Sequence, residues 1–498
     1  MRKLLLVTLS LVLTLSSFAV NFTDGDFTFS INEDGTTCTI QATTLTSGKL
    51  VIPSKVAYKG NDLIVTAIGK YAFADITDFT GDIVIPNSIT TIGENAFHRC
   101  SGFTGNLVIP NSVTTIGTLA FAGCTGLTGD LVIPNSVKTM GDQVFNGCSG
   151  FSGALVISNS VTTIGYAAFA RCSGLTGDLV IPNSVTTIGD QAFHSCSGFT
   201  GDLVIPNNVT TIGEASFERC TGLTGNLFIS NSVTAVGHNA FYGCTGFTGD
   251  LVIPNGVITI GSAAFYGCTG FTGKLDISSS VTTIEEYAFA VCTGLTGNLV
   301  IPSSVTNLGG FSFYSCTGFT GDLILPDGLT TVSDECFYGC EGLNGNLYLP
   351  SSICSLGYYP FRGTKFRTVH SLNTTPPIYS SSSFPDVSVF DKDNLQATLY
   401  VPDSSVEAYK ASDVWKDFFK ILPMSGLGDS AIDGVTADDI SVTVVDGNIV
   451  ITAQESALTE VFNLAGVKLR STTDRRISDL NHGVYIVRVA GKVFKVSI

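Results

Sequence analysis

Cysteines that recur at a fixed interval are the residues of this sequence with the greatest capacity for chemistry. Eleven of the 14 cysteines follow one another every 24 residues: Cys100, Cys124, Cys148, Cys172, Cys196, Cys220, Cys244, Cys268, Cys292, Cys316 and Cys340. A row of single thiols cannot surround one tetrahedral zinc ion. If the copies stack like neighbouring strands, about 4.8 Å apart, the Cβ atoms lie beyond the roughly 3.5–4.5 Å that a disulfide requires. We therefore expect buried free thiols that pack as small apolar side chains, with disulfides as the alternative.

Two of the five histidines lie close to column cysteines, in His98-Arg99-Cys100 and His194-Ser195-Cys196. A cysteine and a histidine can act together as nucleophile and base. The cysteine column, however, continues through copies that have no nearby histidine. The sequence also lacks an HExxH motif, a GxSxG motif, a phosphate-binding glycine loop and a calcium loop. We therefore predict a protein that is not an enzyme and that uses no cofactor and no metal.

The amino terminus and the composition predict an exported chain. Arg2 and Lys3 precede an apolar run from Leu4 to Leu15, and Ser17 and Ala19 are the small residues of a signal-peptidase site. Residues 1–19 are thus predicted to be a signal peptide, and no later apolar run is long enough for a transmembrane helix. A formal net charge of −16 excludes a nucleic-acid partner, because nothing would neutralise the phosphates.

The cysteines belong to a repeat of 24 residues, of which "LVIPNSVTTIGDQAFHSCSGFTGD", from Leu179 to Asp202, is one copy. Copies begin at Ile83, Leu107, Leu131, Leu155, Leu179, Leu203, Leu227, Leu251, Leu275, Leu299, Leu323 and Leu347, after a longer copy at Leu50. We number positions 1 to 24 from the first residue of each copy. Because one copy cannot bury its apolar residues alone, self-similarity at a fixed period predicts a stacked solenoid.

Within a copy, position 1 and position 3 alternate as in a short strand, which Pro182 ends. Spacings of three and four residues between Ile188, Ala192 and Cys196 predict one helical or 3-10 turn. Gly198 and Gly201 are predicted to reverse the chain at positive φ. The fold class is therefore an α/β-type solenoid of short parallel strands and tight helical or 3-10 turns, followed by a small all-β carboxy-terminal domain.

Position 16 varies while the apolar columns barely change. It carries Tyr242, Tyr266, Tyr314 and Tyr338, and also His98 and His194. Tyrosine supplies contact area and a polar tip together, and it is enriched at interface hot spots. We predict that these six residues bind a partner; the alternative is that they only fill grooves between turns. Position 2 is nearly always valine and could form a second, apolar ribbon.

The motifs I-P-x-S-V-T-x-I-G and A-F-x-x-C closely resemble the BspA-like leucine-rich repeat family of bacterial surface proteins. The resemblance runs from Leu50 to about Phe366 and recurs in every copy. It implies a leucine-rich repeat solenoid at residues 50–370 on the cell surface, in a family associated with adhesion to host proteins and to other cells. Residues 20–49 are predicted to form a β-hairpin cap.

Two later segments carry further resemblances. Residues 371–422 look like the strand-plus-helix that closes such arrays, and Ser404-Ser405-Val406-Glu407 has the pattern of a capping box. Residues 423–441 are predicted to be a linker. Residues 442–498 resemble the sorting domain of type IX secretion substrates, which implies the secretion machinery as a partner. From Val461 onward, seven lysines and arginines against two aspartates give a formal charge of +5.

Two functions are compatible with these patterns. The first is a binding module that reaches the cell surface or the extracellular space through the periplasm and presents its repeats to an extracellular protein or glycan. The alternative is a structural spacer without a ligand of its own. Replacing the four tyrosines together would separate them, since only the first predicts lost adhesion.

Overall fold

The structure, a computed structural model, describes residues 20–380 and 389–426, and within 440–497 it describes 440–445, 448–453, 459–463, 468–478, 480, 484–489 and 492–497. The predicted signal peptide and most of the predicted linker lie outside these residues. The described chain forms a parallel-strand solenoid with a 24-residue period, followed by two small antiparallel sheets. Within the described ranges, the helices are too short or too polar to cross a membrane.

One face of the solenoid is a row of parallel strands at positions 9 and 10, which is divided into three sheets by breaks after Thr139–Met140 and after Asn307–Leu308. Thr187 pairs with Thr163 on one side and with Thr211 on the other, in register with the repeat. The outward threonine and the inward isoleucine alternate as neighbours on a strand must. The strands of this face are Thr91–Ile92, Thr115–Ile116, Thr139–Met140, Thr163–Ile164, Thr187–Ile188, Thr211–Ile212, Ala235–Val236, Thr259–Ile260, Thr283–Ile284, Asn307–Leu308, Thr331–Val332, Ser355–Leu356 and Ile378–Tyr379.

The strand predicted at positions 1 to 3 is present in most copies, but it pairs in shorter sheets. These strands are Ile83–Val84, Leu107–Val108, Leu131–Val132, Leu155–Val156, Leu203–Val204, Leu227–Phe228, Leu251–Ile253, Leu275–Ile277, Leu323–Ile324 and Asn346–Leu349. The copies at Leu179 and Leu299 pair just before this position instead, through Gly177–Asp178 with Phe199–Thr200 and Gly297–Asn298 with Phe319–Thr320. The proline at position 4 keeps these strands short because it donates no backbone hydrogen bond.

Positions 12 to 18 form consecutive hydrogen-bonded turns, so the predicted helical or 3-10 turn is not confirmed. Gln191 and Ser195 have φ values of 56° and 58°, which no right-handed helix allows. Because residues with positive φ occur among residues with negative φ, the backbone amides of these turns point in two directions. The amides of Ala192, His194 and Cys196 donate within the coil, to Gly189, Gln191 and Phe193. Those of Gln191, Phe193 and Ser195 donate to the carbonyls of the next coil, at Glu214, Ser216 and Glu218.

The core is a set of apolar columns that run the length of the solenoid. Position 15 is phenylalanine in each of these copies, and its rings stack from Phe73 to Phe361 with centroids 5.1 to 6.0 Å apart. Stacked rings contribute about 0.5–1.5 kcal/mol per pair beyond the apolar area that they bury. The column cysteines, such as Cys196, are fully buried beside them. Apolar burial between identical neighbours therefore holds the coils together.

The two glycines predicted at positive φ differ. Gly201 has a φ of +74°, as predicted. Gly198 has no positive φ, so that prediction is wrong. A Cβ at Gly198 would lie 2.3 Å from the carbonyl oxygen of Leu175 and 2.6 Å from that of Ser173. Position 20 is glycine because the backbone of the preceding coil lies against it.

Antiparallel strands cover the amino-terminal end of the stack. Asn21–Asp24, Phe27–Ile31 and Thr37–Thr43 pair in order, and Thr37–Thr43 then joins Asn61–Ile68 in parallel. Lys55–Tyr58 also pairs with Asn61–Ile68, and Ser47–Lys49 pairs with Asp78–Thr80. Phe29 is buried against the first coils, so this segment closes the end of the core.

The carboxy-terminal end is closed by further parallel strands and a short helix. Thr368–Ser371, Thr398–Val401 and Lys420–Pro423 continue the sheet of positions 1 to 3. Between them lie 3-10 turns at Asn394–Gln396 and Asp403–Ser405 and an α-helix at Val406–Ala411, and a further 3-10 turn spans Met424–Gly426.

Aromatic side chains fix this end to the last coils. Tyr409 and Trp415 are buried. The Tyr409 hydroxyl contacts Ser371 Oγ at 2.7 Å, and Trp415 Nε1 donates to the Pro377 carbonyl at 2.8 Å. The predicted capping box is wrong, because the N-cap residue is Ser405 and not Ser404, the first residue of the motif. Ser405 makes no side-chain cap bond, and its hydroxyl donates to the Thr374 carbonyl instead.

The last residues form a separate all-β core. One sheet contains Ile440–Val445, Asn448–Ala453 and Arg476–Ile477; the other contains Lys468–Thr472, Thr459–Asn463, Val484–Val489 and Lys492–Ser497. Val461 and Val487 are fully buried in their shared core. All strand pairs here are antiparallel, which agrees with the predicted all-β carboxy-terminal domain.

Candidate binding surface

The turns at positions 12 to 18 point their variable side chains to one side of the solenoid. Within one copy, Phe193 and Cys196 point into the core, whereas His194 between them is half-buried. The fixed turn geometry repeats this placement, so position 16 forms a column on the surface. We call the surface formed by positions 12, 13, 16 and 17 the turn face.

The structure brings the four predicted tyrosines together as two stacked pairs on the turn face. The rings of Tyr242 and Tyr266 are 4.8 Å apart with an interplanar angle of 5°. Those of Tyr314 and Tyr338 are 5.0 Å apart at 13°. All four side chains are half-buried. Ala290 occupies position 16 between the two pairs, so the column itself is interrupted.

Two aromatic residues at position 13 bridge this interruption, and the sequence prediction missed both. Tyr287 and Phe311 stack with their centroids 4.5 Å apart. Tyr287 lies 6.3 Å from Tyr266, and Phe311 lies 6.0 Å from Tyr314. Comparing the copies at position 13 as well as at position 16 would have found them, because aromatic residues there are concentrated in the same carboxy-terminal copies.

The aromatic chain continues to the last copy of the repeat. The Arg362 guanidinium lies 5.6 Å from the Tyr338 ring centroid and 4.6 Å from that of Tyr359. Tyr359 in turn lies 4.5 Å from Tyr358. We call this continuous set the aromatic ledge; its members are Tyr242, Tyr266, Tyr287, Phe311, Tyr314, Tyr338, Tyr358, Tyr359 and Arg362.

The backbone does not favour aromatic residues at position 13. Tyr287, Phe311 and Tyr359 have φ values of 58°, 57° and 42°. A residue with a Cβ pays roughly 1–2 kcal/mol for the left-handed conformation. Since Ala167 and Ala215 adopt the same conformation in other copies, the turn itself does not require a ring at position 13.

His98 and His194 lie on the turn face outside the aromatic ledge. His98 Nδ1 is 3.8 Å from Asp75 Oδ1, and His194 Nδ1 is 3.5 Å from Glu218 Oε2. Burial lowers the pKa of both imidazoles, against the opposite effect of these carboxylates. The two histidines are four copies apart, so they do not form one site with each other.

Carboxylates border the centre of the aromatic ledge. Glu286 and Asp334 occupy position 12 in copies whose position 13 is Tyr287 and Glu335, and Gly310 leaves a gap between them. Burial, with the charges of Glu286 and Glu335, raises the pKa of the Tyr287 phenol. Burial also raises the pKa of Glu335, followed by the charge of Asp334. The ledge is therefore aromatic at its centre and acidic along one side.

The valine ribbon at position 2 is exposed, as predicted. Its residues are 45% to 65% exposed: Val84, Val108, Val132, Val156, Val180, Val204, Val252 and Val300. β-Propensity alone accounts for valine on an exposed strand. Valine recurs at position 2 along most of the solenoid, with Phe228 and Asp276 among the exceptions, whereas the aromatic ledge is confined to the copies towards its carboxy-terminal end.

The burial and the hydrogen bonds of the column cysteines indicate a structural role. All 14 cysteines are free, and only Cys354 is exposed. Each column thiol donates to the phenylalanine carbonyl of the preceding coil, and burial raises the pKa of Cys148, for example, to about 12. Such thiols remain protonated and have no access to a substrate. Within the described ranges, no group of three or more potential ligands could hold a metal ion.

Comparisons with known proteins place the repeat in a family. The family described as "BspA type Leucine rich repeat region (6 copies)" matches residues 66–200, 151–272, 199–320 and 271–389. No curated protein matches the sequence.

Solved structures show the same fold. A leucine-rich repeat protein from Bacteroides ovatus is similar with a TM-score of 0.56 and 23% identity, over 81% of this chain and 99% of that one. A leucine-rich cell surface protein from Faecalibacterium prausnitzii gives a TM-score of 0.50 and 26% identity, over 73% of this chain and 95% of that one. The family match spans well over half of the chain, and the chain therefore belongs to the BspA-type leucine-rich repeat proteins.

Proposed function

We propose that this protein is exported to the cell surface, where it binds an extracellular protein or glycan through the aromatic ledge and catalyses no reaction. The observation that carries the proposal is the unbroken chain of half-buried rings from Tyr242 to Tyr338, linked by Tyr287 and Phe311 and extended to Tyr359 by the Arg362 guanidinium. Tyrosine and arginine are the residue types most enriched at binding hot spots. Rings that are already packed against one another also lose little conformational entropy when a partner binds.

The size of the ledge fits a specific interface. It extends over the copies that begin at Leu227 to Leu347, a length of about 24 Å at roughly 4.8 Å per coil. A standard interface buries about 800 Å² on each partner. A patch of that area is about as broad as the ledge is long. The continuous core and the coil-to-coil amide bonds keep the rings in place without a partner.

Export and surface location are supported by the sequence of residues 1–19 and by the family. The Faecalibacterium relative is described as a cell surface protein. We propose that residues 442–498 act as a sorting domain that the type IX secretion machinery reads, after the signal peptide has directed the chain to the periplasm. The antiparallel sheets support a module separate from the acidic solenoid, as does the positive formal charge of this region, which has seven lysines and arginines against five acidic residues.

Replacement of Tyr242, Tyr266, Tyr314 and Tyr338 by alanine tests the binding role. We expect adhesion of the purified 20–422 fragment to extracellular-matrix proteins or glycans to fall at least tenfold. Tyr71 and Tyr166, which are exposed on the same face outside the ledge, supply the control variant. Unchanged adhesion of the four-tyrosine variant would favour the spacer function.

Deletion of residues 442–498 tests the sorting role separately. We expect the truncated protein to accumulate in the periplasm, as measured by cell fractionation and by surface labelling. Normal surface display of the truncated protein would refute the sorting role and would leave the binding role standing.

A further inference from the structure

The aromatic ledge changes direction twice, between Tyr266 and Tyr287 and between Phe311 and Tyr314. Tyr266 and Tyr287 are tilted by 60°, and Phe311 and Tyr314 by 47°. Parallel neighbours cover each other's faces, as Tyr287 and Phe311 do at 13°. A tilted neighbour covers less of a face. The two bends are therefore the places on the ledge where stacking between neighbouring rings is interrupted and a flat cationic group can lie against a ring.

Negative charge lies beside Tyr287 at the first bend. Glu286 is exposed and Glu335 is half-buried, and both charges act on the Tyr287 phenol. The neighbouring Glu285 is already engaged, because its carboxylate accepts the Ser262 amide and lies 3.2 Å from His238 Nδ1. An aromatic face with a carboxylate beside it attracts a cation by two effects that add.

The chain already contains one example of such an arrangement. Arg362 places its guanidinium over Tyr359 and Tyr338 at the end of the ledge, and Glu335 is close enough for the charges to interact. A planar guanidinium stacks on a ring and can pair with a carboxylate at the same time, whereas an ammonium group cannot do both equally well. The net charge of −16 adds a long-range attraction for a basic partner.

We infer that the acidic border and the two bends of the aromatic ledge bind an arginine-bearing, extended stretch of a partner protein. This inference rests on the proposed binding role of the ledge and names its ligand class. The bends are one and a half coils apart, or about 7 Å at roughly 4.8 Å per coil. Alternate residues of an extended chain are separated by about 6.6–6.8 Å, so an Arg-x-Arg sequence matches both bends. A neutral sugar could donate hydrogen bonds to the carboxylates but would gain nothing from their charge.

The test uses the full-length mature protein and two fluorescent peptides, acetyl-(Gly-Arg)4-amide and the same peptide with citrulline in place of arginine. Citrulline keeps the shape and most hydrogen bonds but has no charge. We expect the arginine peptide to bind at least tenfold more tightly in fluorescence anisotropy. Tyr287→Leu and Phe311→Leu, which leave the net charge unchanged, should each weaken its binding at least fivefold.

Carboxylate variants give a matched comparison. Glu286→Gln should weaken binding of the arginine peptide and reduce its salt dependence. Glu214→Gln removes an equally exposed carboxylate at the same position of another copy and should leave affinity within twofold of the unaltered protein. Circular dichroism and thermal midpoints establish that each variant is folded.

Four outcomes would overturn the inference. Equal binding of the citrulline peptide would exclude recognition of charge. Equal effects of Glu286→Gln and Glu214→Gln would indicate general attraction to an acidic protein. A dimer in sedimentation velocity that Phe311→Leu abolishes would assign the ledge to a second copy of the chain. If the arginine peptide fails while the four-tyrosine variant still loses adhesion, only the ligand class is wrong; if adhesion is also unchanged, the binding role itself fails.

Discussion

The thiol of Cys196 donates a hydrogen bond to the backbone carbonyl oxygen of Phe169, 3.0 Å away in the preceding coil. The same oxygen accepts the amide of Cys172 within its own coil. Every column cysteine repeats this contact with the phenylalanine 27 residues earlier, at 2.9 to 3.1 Å. Cysteine thus fills a small apolar space and also satisfies a buried acceptor, which neither alanine nor valine can do.

Replacement of Cys196 by alanine and by serine should separate these two contributions. Alanine removes the donor and leaves a small cavity, so we expect a loss of about 1–3 kcal/mol of unfolding free energy. Serine keeps a donor at the same position and should cost less than alanine. Urea denaturation monitored by far-ultraviolet circular dichroism measures the unfolding free energy of both variants. If serine is as destabilising as alanine, the hydrogen bond contributes nothing and only volume matters.

Thiol reactivity should distinguish the exposed Cys354 from the 13 buried cysteines. In the native protein only the exposed Cys354 should react rapidly with a thiol reagent near pH 8, and all 14 should react in denaturant without a reductant. Buried thiols react only after the surrounding structure opens. Failure of most column cysteines to react in denaturant would show disulfides and would contradict the structure.

Stability should decrease in alkaline solution because of the same thiols. Burial raises the pKa of Cys148, Cys220 and Cys292 to about 12, whereas an exposed cysteine has a pKa of about 8.5. Above about pH 8.5 the unfolded chain therefore releases protons that the folded chain retains, so the unfolding free energy falls as pH rises towards 12. Denaturation midpoints from pH 7 to 10.5 measure this trend. Cys220→Ala should show a smaller decrease; an identical slope would assign the effect to other groups.

The repeat sequence predicts the solenoid and its core because the same apolar residues recur at the same positions in successive copies. It misses the strands at positions 9 and 10, since Thr187 and Ile188 are only two residues of a strand and their pairing depends on neighbouring coils. It also misses the left-handed turns, because Gln191 and Ser195 give no local signal for positive φ. The sequence predicted only part of the ledge. Position 16 supplied the four tyrosines, whereas Tyr287 and Phe311 occupy position 13, which only the folded turn brings next to position 16.

Two glycine positions should respond differently to alanine. A Cβ at Gly198 would lie within 2.6 Å of two carbonyl oxygens of the preceding coil, which cannot move without disturbing that coil. Gly177 has a φ of +77° but open space around its Cα. We expect Gly177→Ala to cost roughly 1 kcal/mol through backbone strain alone, and Gly198→Ala to cost clearly more. Urea midpoints of the two variants measure the difference, and equal midpoints would contradict the close approach.

Trp415 should control the carboxy-terminal end of the solenoid without affecting the other end. Its indole Nε1 donates to the Pro377 carbonyl, and its ring packs against Phe390 and Tyr409. Trp415→Phe keeps an aromatic ring but leaves this buried acceptor without its donor, at a cost of about 1–3 kcal/mol. Because coils contact only their neighbours, we expect faster hydrogen exchange in residues 368–423 and unchanged exchange near Phe97. Phe419→Leu, at a side chain that is 68% exposed, is the control. Equal acceleration along the whole solenoid would mean that the array unfolds as one cooperative unit, and the end would then have no independent stability.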